Sequence, residues 1–390
     1  LKNAKLFLKV NKSTIGVAGA GTMGAGIALI AAVSGHNVIV YDAFPVSLEK
    51  ANIFFKTDIE KLVAKGKFSA ETGVEILTRI VTCNEVLQLA PCEFIIEAVK
   101  EELEVKKQLF QAIENCVSAT CILSSNTSSL SITSIAAVLQ NPERMCGIHF
   151  FNPATIMKLV EIIPALQSAE DTIHSAEQLI QSWGKTTVRA KDNPGFIVNR
   201  IARPFYSEAI RMLEESLAGV DEIDTAMRAA GFRMGPFQLM DLIGHDVNYA
   251  VTESVWTAYY YEPRFRPSFT QKRMVEAGYL GKKSGRGFYN YSTGITSQDV
   301  DISESKSKEI RERILAMLIN EAADAWYYDI ASQSDIDLAM TLGVNYPKGL
   351  FAWAQEWGVE NAIYKMNELY EHYQEDRYKL SPGLRKLLET

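Results

Sequence analysis

The sequence predicts an α/β, doubly wound domain on a mostly parallel sheet, followed by an all-α C-terminal part. Three observations predict this. Short β-rich runs alternate with helical patterns from residue 14 onward. A glycine-rich turn joins the first such run to the first helix. Beyond Asp192-Asn193-Pro194-Gly195 the strand pattern stops and helical periodicity takes over.

TIGVA (14–18) is the first strand, and it ends directly in GAGTMGAG. A helix follows from about Gly24 to Ser34, and Gly35-His36-Asn37 turns the chain into VIVYD. Strand, glycine turn, helix and strand in this order make a βαβ unit. Residues 46–78 read as two helices around the turn Lys65-Gly66-Lys67. Further strands are expected at RIVTC (79–83), EFIIEAV (93–99), CILSSN (121–126), MCGIHFF (145–151) and KLVEII (158–163), with a helix at 102–116. Later, FIVNRIARPFYSEAIRMLEES reads as one long amphipathic helix, and the polar stretch 291–308 as a linker.

Composition narrows the function classes. Lys plus Arg number 40 against 47 Asp plus Glu, a net charge of −7, which argues against a nucleic-acid partner. The apolar runs fall short of the roughly 20 residues that a membrane span needs, so no membrane partner is expected. The five cysteines are odd in number and form no C-x-x-C, which argues against a disulfide framework and a thiolate zinc site. No metal is expected. A reducing, cytoplasmic location fits, and the mitochondrial matrix stays open because a transit peptide can have been removed ahead of Leu1.

Gly19-Ala20-Gly21-Thr22-Met23-Gly24 matches G-x-G-x-x-G between a strand and a helix. Gly19 permits the tight turn, Gly21 lets a pyrophosphate approach the backbone, and Gly24 lets helix and strand pack closely. The helix N-terminus offers N–H groups and a positive dipole end to phosphates. Asp42 ends the next strand, where its carboxylate can accept ribose hydroxyls and would repel a 2′-phosphate. It is followed by Ala43 and Phe44 rather than arginine, which favours NAD over NADP.

The expected organisation is an N-terminal extension (1–12), a Rossmann-type NAD-binding domain (13–192), a first helical domain (193–292), a linker (293–308) and a second helical repeat (309–390). The repeat rests on likeness between 207–244 and 320–358. Ile223-Asp224-Thr225-Ala226-Met227 aligns with Ile336-Asp337-Leu338-Ala339-Met340, 113 positions on (336 against 223). The second copy has no glycine loop or histidine motif and puts Glu312 where the first has Asn199, so it carries no second active site. Its apolar positions Leu318, Ile336, Leu350, Phe351 and Trp353 need a partner, and the first copy is the simplest one. The tail then partly replaces a dimer partner, with monomer and homodimer both open for the intact chain.

Of the five histidines, His36, His174, His245 and His372 have structural readings. His149 closes an apolar run just before Phe150-Phe151-Asn152-Pro153 breaks the strand, at the end where open α/β sheets bind ligands. Histidine there can exchange a proton near neutral pH. Glu161 lies twelve residues on, inside Leu159-Val160-Glu161-Ile162-Ile163, where a carboxylate needs a partner such as an imidazolium.

These residues, together with GAGTMGAGIA, SSNTSSLSI, GIHFFNPATIMKLVEI, DNPGFIVNR, MGPFQLMDLIG and LGKKSGRGFYNY, resemble the L-3-hydroxyacyl-CoA dehydrogenases from about residue 14 to 292. The resemblance implies NAD-dependent, reversible oxidation of an L-3-hydroxyacyl-CoA, such as 3-hydroxybutyryl-CoA or a 3-hydroxyadipyl-CoA-like ester. It also implies a 6-phosphogluconate-dehydrogenase-like helical repeat. By the same resemblance His149 is the general base, Glu161 its orienting partner, and Ser128 and Asn199 hydrogen-bond near the substrate oxygen. Glu101, Lys106, Asn152 and Lys283 match positions that border NAD, and Lys65 and Lys67 fall in the arm that meets CoA. A dicarboxylate substrate would want a further cation near its tail, for which Arg203 and Arg233 are candidates. Two other readings compete: a sugar-acid dehydrogenase of the same superfamily, and a non-catalytic, crystallin-like NAD-binding protein. The long arm favours CoA over the first, and the complete Ser128, His149, Glu161 and Asn199 set argues against the second.

Overall fold

The computed structural model describes residues 13–294 and 297–389, which part into two compact units between Asp192 and Asn193. The expected extension 1–12 lies outside the described residues, as do Ile295 and Thr296 of the expected linker.

The first unit contains strands β1 (Thr14–Ala18), β2 (Asn37–Tyr41), β3 (Ile80–Cys83), β4 (Phe94–Glu97), β5 (Ile122–Ser125), β6 (Met145–Phe150), β7 (Leu159–Pro164) and β8 (Thr186–Arg189). They form one sheet in the order β3-β2-β1-β4-β5-β6-β7-β8. The pairings from β3 through β6 are parallel, β7 runs antiparallel to β6, and β8 is parallel to β7. Strand β8, TTVR, is absent from the sequence expectation because four residues without apolar alternation carry almost no periodic signal.

Helices α1 (Thr22–Val33), α2 (Pro45–Ala64), α3 (Ala70–Thr78), α4 (Leu103–Glu114), α5 (Ile132–Ala136) and α6 (Glu170–Ser182) accompany the sheet. Helix α1 is apolar over most of its circumference, and its residues Gly24–Ala32 are all buried. The β1–α1 turn is tight. A Cβ on Gly24 would lie 1.8 Å from the Gly19 carbonyl oxygen, and Gly19 itself has φ +112°. Helices α2 and α3 form the expected two-helix arm around Lys65-Gly66-Lys67.

The second unit is helical: α7 (Val198–Ile201), α8 (Arg203–Glu214), α9 (Val220–Ala229), α10 (Pro236–Ile243), α11 (His245–Ala258), α12 (Phe269–Glu276), α13 (Glu304–Tyr327), α14 (Gln333–Gly343), α15 (Leu350–Trp357), α16 (Val359–Tyr373) and α17 (Pro382–Lys386). Two expectations need correction. The single long helix of 196–216 breaks at Ala202, because Pro204 has no N–H to donate into the preceding turn. The linker is shorter than 293–308, since Ser303 caps α13 by accepting from Lys306 N at 3.3 Å. Helix α13 thus starts inside the expected linker, and both copies lie in one compact unit.

The duplication extends to side chains. Asp224 accepts from the N–H groups of Phe237 and Gln238 at the start of α10, each at 2.9 Å. Asp337 does the same for Phe351 and Ala352 at the start of α15, at 2.9 and 3.1 Å. Across the copies, Arg200 Nε meets Glu321 at 2.6 Å and Arg313 Nε meets Glu208 at 3.0 Å. Arg264 joins Glu321 at 2.9 Å and Arg377 joins Glu208 at 3.5 Å. Every partner in these pairs maps onto its counterpart by the 113-residue offset (313 against 200, 321 against 208, 377 against 264). Each pair thus has a twin with the roles of the copies exchanged, the signature of packing about a pseudo-two-fold axis. Leu318, Ile336, Leu350, Phe351 and Trp353 are all buried, and Trp353 stacks on Phe232 with ring centroids 5.3 Å apart.

Candidate active site

His149 and Glu161 meet because of register. Strands β6 and β7 pair antiparallel with His149 directly opposite Glu161, so both side chains stand on one face. His149 Nδ1 and Glu161 Oε2 are 2.6 Å apart, with both side chains buried. The Phe151 ring lies 4.5 Å from the imidazole and encloses it further. A carboxylate only accepts, so the shared proton is assigned to Nδ1, which leaves Nε2 as the basic nitrogen.

The loop after the neighbouring strand β5 is tied to β6, where Phe150 N donates to Asn126 Oδ1 at 2.9 Å. Thr127 Oγ1 and Ser128 N donate to Glu101 at 2.5 and 2.9 Å, which fixes Ser128. Burial works against the Glu101 charge, yet the Lys106 ammonium and the donors from Thr127 and Ser128 hold its carboxyl below the usual range. Lys106 is itself buried, between Glu97 at 2.6 Å and Glu101 at 3.2 Å. It positions Glu101 from beneath. Glu97, which also accepts from Ser125 Oγ at 2.6 Å, was not singled out in the sequence. Burial pushes its carboxyl up, against the pull of Lys106. Its only sequence signal is a charge inside an apolar run, EFIIEAV, the same signal that marks Glu161.

The glycine loop suits a dinucleotide. Helix α1 has no side-chain cap and no acidic residue in its first turn, so the positive end of its dipole is left for an anion. Nothing lies within 4 Å of a Cβ built on Gly21, and Thr22 is exposed beside it, with Met23 half-buried. Asp42 sits where β2 ends, accepting from Ala20 N at 2.8 Å. Asn152 is exposed just beyond β6. In the helical unit, Asn199 is half-buried on α7, and Lys283 pairs with Asp246 at 2.5 Å.

The two-helix arm contributes to a separate feature of the first unit, a cavity of about 620 Å³. Lys61, Lys65, Lys67, Lys158 and Lys185 line it together with one acid, Asp58. Leu29, Ile30, Val33 and Trp183 form apolar wall. Lys185 donates to the carbonyls of Ala154 and Met157 at 2.6 and 2.7 Å, and burial lowers its pKa to about 8.

Other chemistries find little support. Burial pushes the thiols of Cys92, Cys121 and Cys146 up to about 12, so none is poised as a thiolate. Among the described residues no cluster of His, Cys, Asp and Glu could hold a metal ion, and no helix is long and apolar enough to cross a membrane.

A Rossmann sheet with a histidine–carboxylate pair at the carboxyl end of one strand defines an NAD-dependent oxidoreductase. The description "3-hydroxyacyl-CoA dehydrogenase, NAD binding domain" matches residues 14–193, and that of the C-terminal domain of the same enzymes matches 195–291 and again 310–390. The chain belongs to the 3-hydroxyacyl-CoA dehydrogenase family. It is 38% identical to the 3-hydroxyadipyl-CoA dehydrogenase of Escherichia coli (strain K12), over 98% of this chain and 99% of that one. A crystal structure of 3-hydroxybutyryl-CoA dehydrogenase from Escherichia coli K12 superposes with a TM-score of 0.91 at 37% identity, covering 97% of this chain and 99% of that chain. The (S)-3-hydroxybutyryl-CoA dehydrogenase of Ralstonia eutropha, 39% identical with a TM-score of 0.69, covers 72% of this chain with 99% of its own.

Proposed function

We propose that the chain oxidises the 3-hydroxyl of a short-chain L-3-hydroxyacyl-CoA, reversibly, with His149 as general base. The observation that carries this reading is the buried 2.6 Å contact between His149 Nδ1 and Glu161. His149 Nε2 takes the hydroxyl proton as the C3 hydride departs, and Glu161 stabilises the imidazolium and fixes the ring. In the reductive direction the imidazolium returns that proton to the 3-keto oxygen. NAD, when bound, supplies the hydride acceptor. Ser128, held by Glu101, and Asn199 orient the substrate oxygen, a contribution of positioning. Gly19, Gly21, Thr22, Met23 and Gly24 cradle the pyrophosphate, and Asp42 takes the ribose hydroxyls. Glu101 with Lys106 behind it, Asn152 and Lys283 border the cofactor.

The lysine-rich cavity is our candidate for the nucleotide end of CoA. An apolar wall suits the adenine, and Lys65 and Lys67 suit its phosphates. Relatives named for 3-hydroxybutyryl and 3-hydroxyadipyl esters support a short acyl chain. The second copy takes the place of a partner subunit, so the intact chain acts as a monomer with one active site. A cytoplasmic location suits the buried free thiols.

The test is NADH oxidation with acetoacetyl-CoA. His149→Gln should lower turnover by roughly two to four powers of ten while NAD affinity stays unchanged. Turnover within tenfold of the wild type would remove His149 as the base.

A further inference from the structure

We propose that Arg203 heads an anion subsite that receives a carboxylate at the far end of the acyl chain, which makes this enzyme selective for dicarboxylic 3-hydroxyacyl-CoA esters. The proposal rests on the reading that Asn199 meets the substrate oxygen.

Arg203 is exceptional among the buried arginines of the helical unit. Arg200, Arg313 and Arg377 each face a carboxylate. Arg203 is only 6% exposed, yet no carboxylate among the described residues lies within ion-pair distance of it. Its Nη1 donates to Thr252 Oγ1 at 3.2 Å, and its guanidinium lies 5.1 Å from the centre of the Tyr206 ring. Its Nε has no hydrogen-bond partner. Thr252 is already committed, since its hydroxyl also donates to the Asn248 carbonyl at 2.8 Å.

The neighbouring polar atoms want the same thing. Asn248 Oδ1 is taken by Gln271 Nε2 at 2.9 Å, which leaves Asn248 Nδ2 buried and unpaired. The Tyr346 hydroxyl, contributed by the second copy, is buried and unpaired as well, and its ring packs on that of Phe205, two residues from Arg203, with centroids 5.7 Å apart. Three donor groups thus lack an acceptor around one uncompensated cation, an arrangement that is costly to bury as it stands. A carboxylate supplies the missing charge and the lone pairs in the planar geometry that a guanidinium matches.

The position selects the acyl chain as the source of that carboxylate. Arg203 follows Asn199 by four residues, across the turn at Ala202 where α7 ends and α8 begins, whose torsions of −76° and −9° stay near helical values. Four residues of near-helical backbone advance the chain by about 6 Å. In a six-carbon ester, the three bonds from C3 to the distal carboxyl carbon span about 4 Å. A hydroxyl at Asn199 and a carboxylate at Arg203 are compatible with one short chain.

The experiment compares two six-carbon substrates, 3-oxoadipyl-CoA and 3-oxohexanoyl-CoA, which differ only in a terminal carboxylate against a methyl group. The wild type should favour the dicarboxylic ester in kcat/KM by at least about tenfold, and Arg203→Met should lower that ratio by roughly 10- to 100-fold. Arg203→Lys, which retains the charge but loses the fork, should fall between. A wild type without preference overturns the proposal whatever the variants do, as does a parallel loss on both esters. A wild type that treats both esters alike, yet is stabilised against heat by chloride or phosphate in an Arg203-dependent way, holds a free anion instead, which also overturns it. Asn199→Ala separates the two readings, because it should slow both esters equally; if it slows neither, the reading of Asn199 fails while the Arg203 ratio still stands or falls alone.

Discussion

Both oxygens of Asp42 accept backbone hydrogen bonds, from Ala20 N at 2.8 Å and Phe44 N at 2.9 Å. One carboxylate therefore clamps the glycine loop to the end of β2 while keeping further lone pairs for ribose hydroxyls. Asp42→Ala should raise KM for NADH by roughly 10- to 100-fold and narrow the NADH-to-NADPH preference. Kinetics with both cofactors check this, and a wild type that prefers NADPH would refute the role given to Asp42. The residue scale is also where the sequence was most legible. The glycine loop and Asp42 are local, so spacing alone exposes them. His149 and Glu161 were legible singly, as polar residues inside apolar runs, and a two-strand register then joined them. The Glu97–Lys106–Glu101 network was not legible as a unit, because periodicity gives no hint of how the turn from β4 to α4 folds its charges together.

Glu114, at the end of α4, shows how elements are fastened together. It accepts from Gln140 N at 2.8 Å, Asn141 N at 3.0 Å and Arg144 Nη2 at 3.1 Å, joining α4 to the turn that leads into β6, the strand of His149. Burial opposes its charge, but those N–H groups and Arg144 hold its carboxyl below the ordinary value of 4.5. The unfolded chain is then the first to take up a proton on acidification. The stabilisation is complete above 4.5 and is lost as pH falls through the depressed folded value. Glu114→Gln should be less stable at neutral pH by about 1–3 kcal/mol. Its urea midpoint should also converge on the wild type's as pH falls below 4.5. Midpoints that stay parallel across that range would refute the linkage. Element boundaries follow the same division between local and tertiary causes. The two-helix arm was visible in its periodicity and its glycine. Strand β8 was hidden by brevity, and the start of α13 by a polar first turn that resembles linker until its Ser303 cap is seen.

At the scale of the whole molecule, the pseudo-two-fold packing of the helical copies says what the first copy needs. Glu208 faces Arg313 and Arg377, and Glu321 faces Arg200 and the half-buried Arg264, the other residues of the set being buried. Removing the second copy would strand Glu208 without its two cations, and Arg200 and Arg264 without their acid. Truncation opens those charges to water together with the apolar surface around them, so the loss is one of burial as much as of pairing. The first copy, however, carries both halves of the pattern. Two truncated chains related by a true two-fold axis would bring Arg200 and Arg264 of each onto Glu208 of the other, since 321 and 208 are the same position in the repeat. Phe232 would likewise regain an aromatic partner, in place of Tyr346 and Trp353. A chain ending at about residue 300 should therefore sediment as a dimer, or aggregate where the match is imperfect, while the intact chain sediments as a monomer. NAD titration should show that the first unit of the truncated protein still binds its cofactor. Glu208→Ala in the truncated chain should weaken its dimer more than the same change weakens any self-association of the intact protein. A truncated chain that is soluble, fully active and monomeric would show that the second copy covers nothing the first copy needs covered.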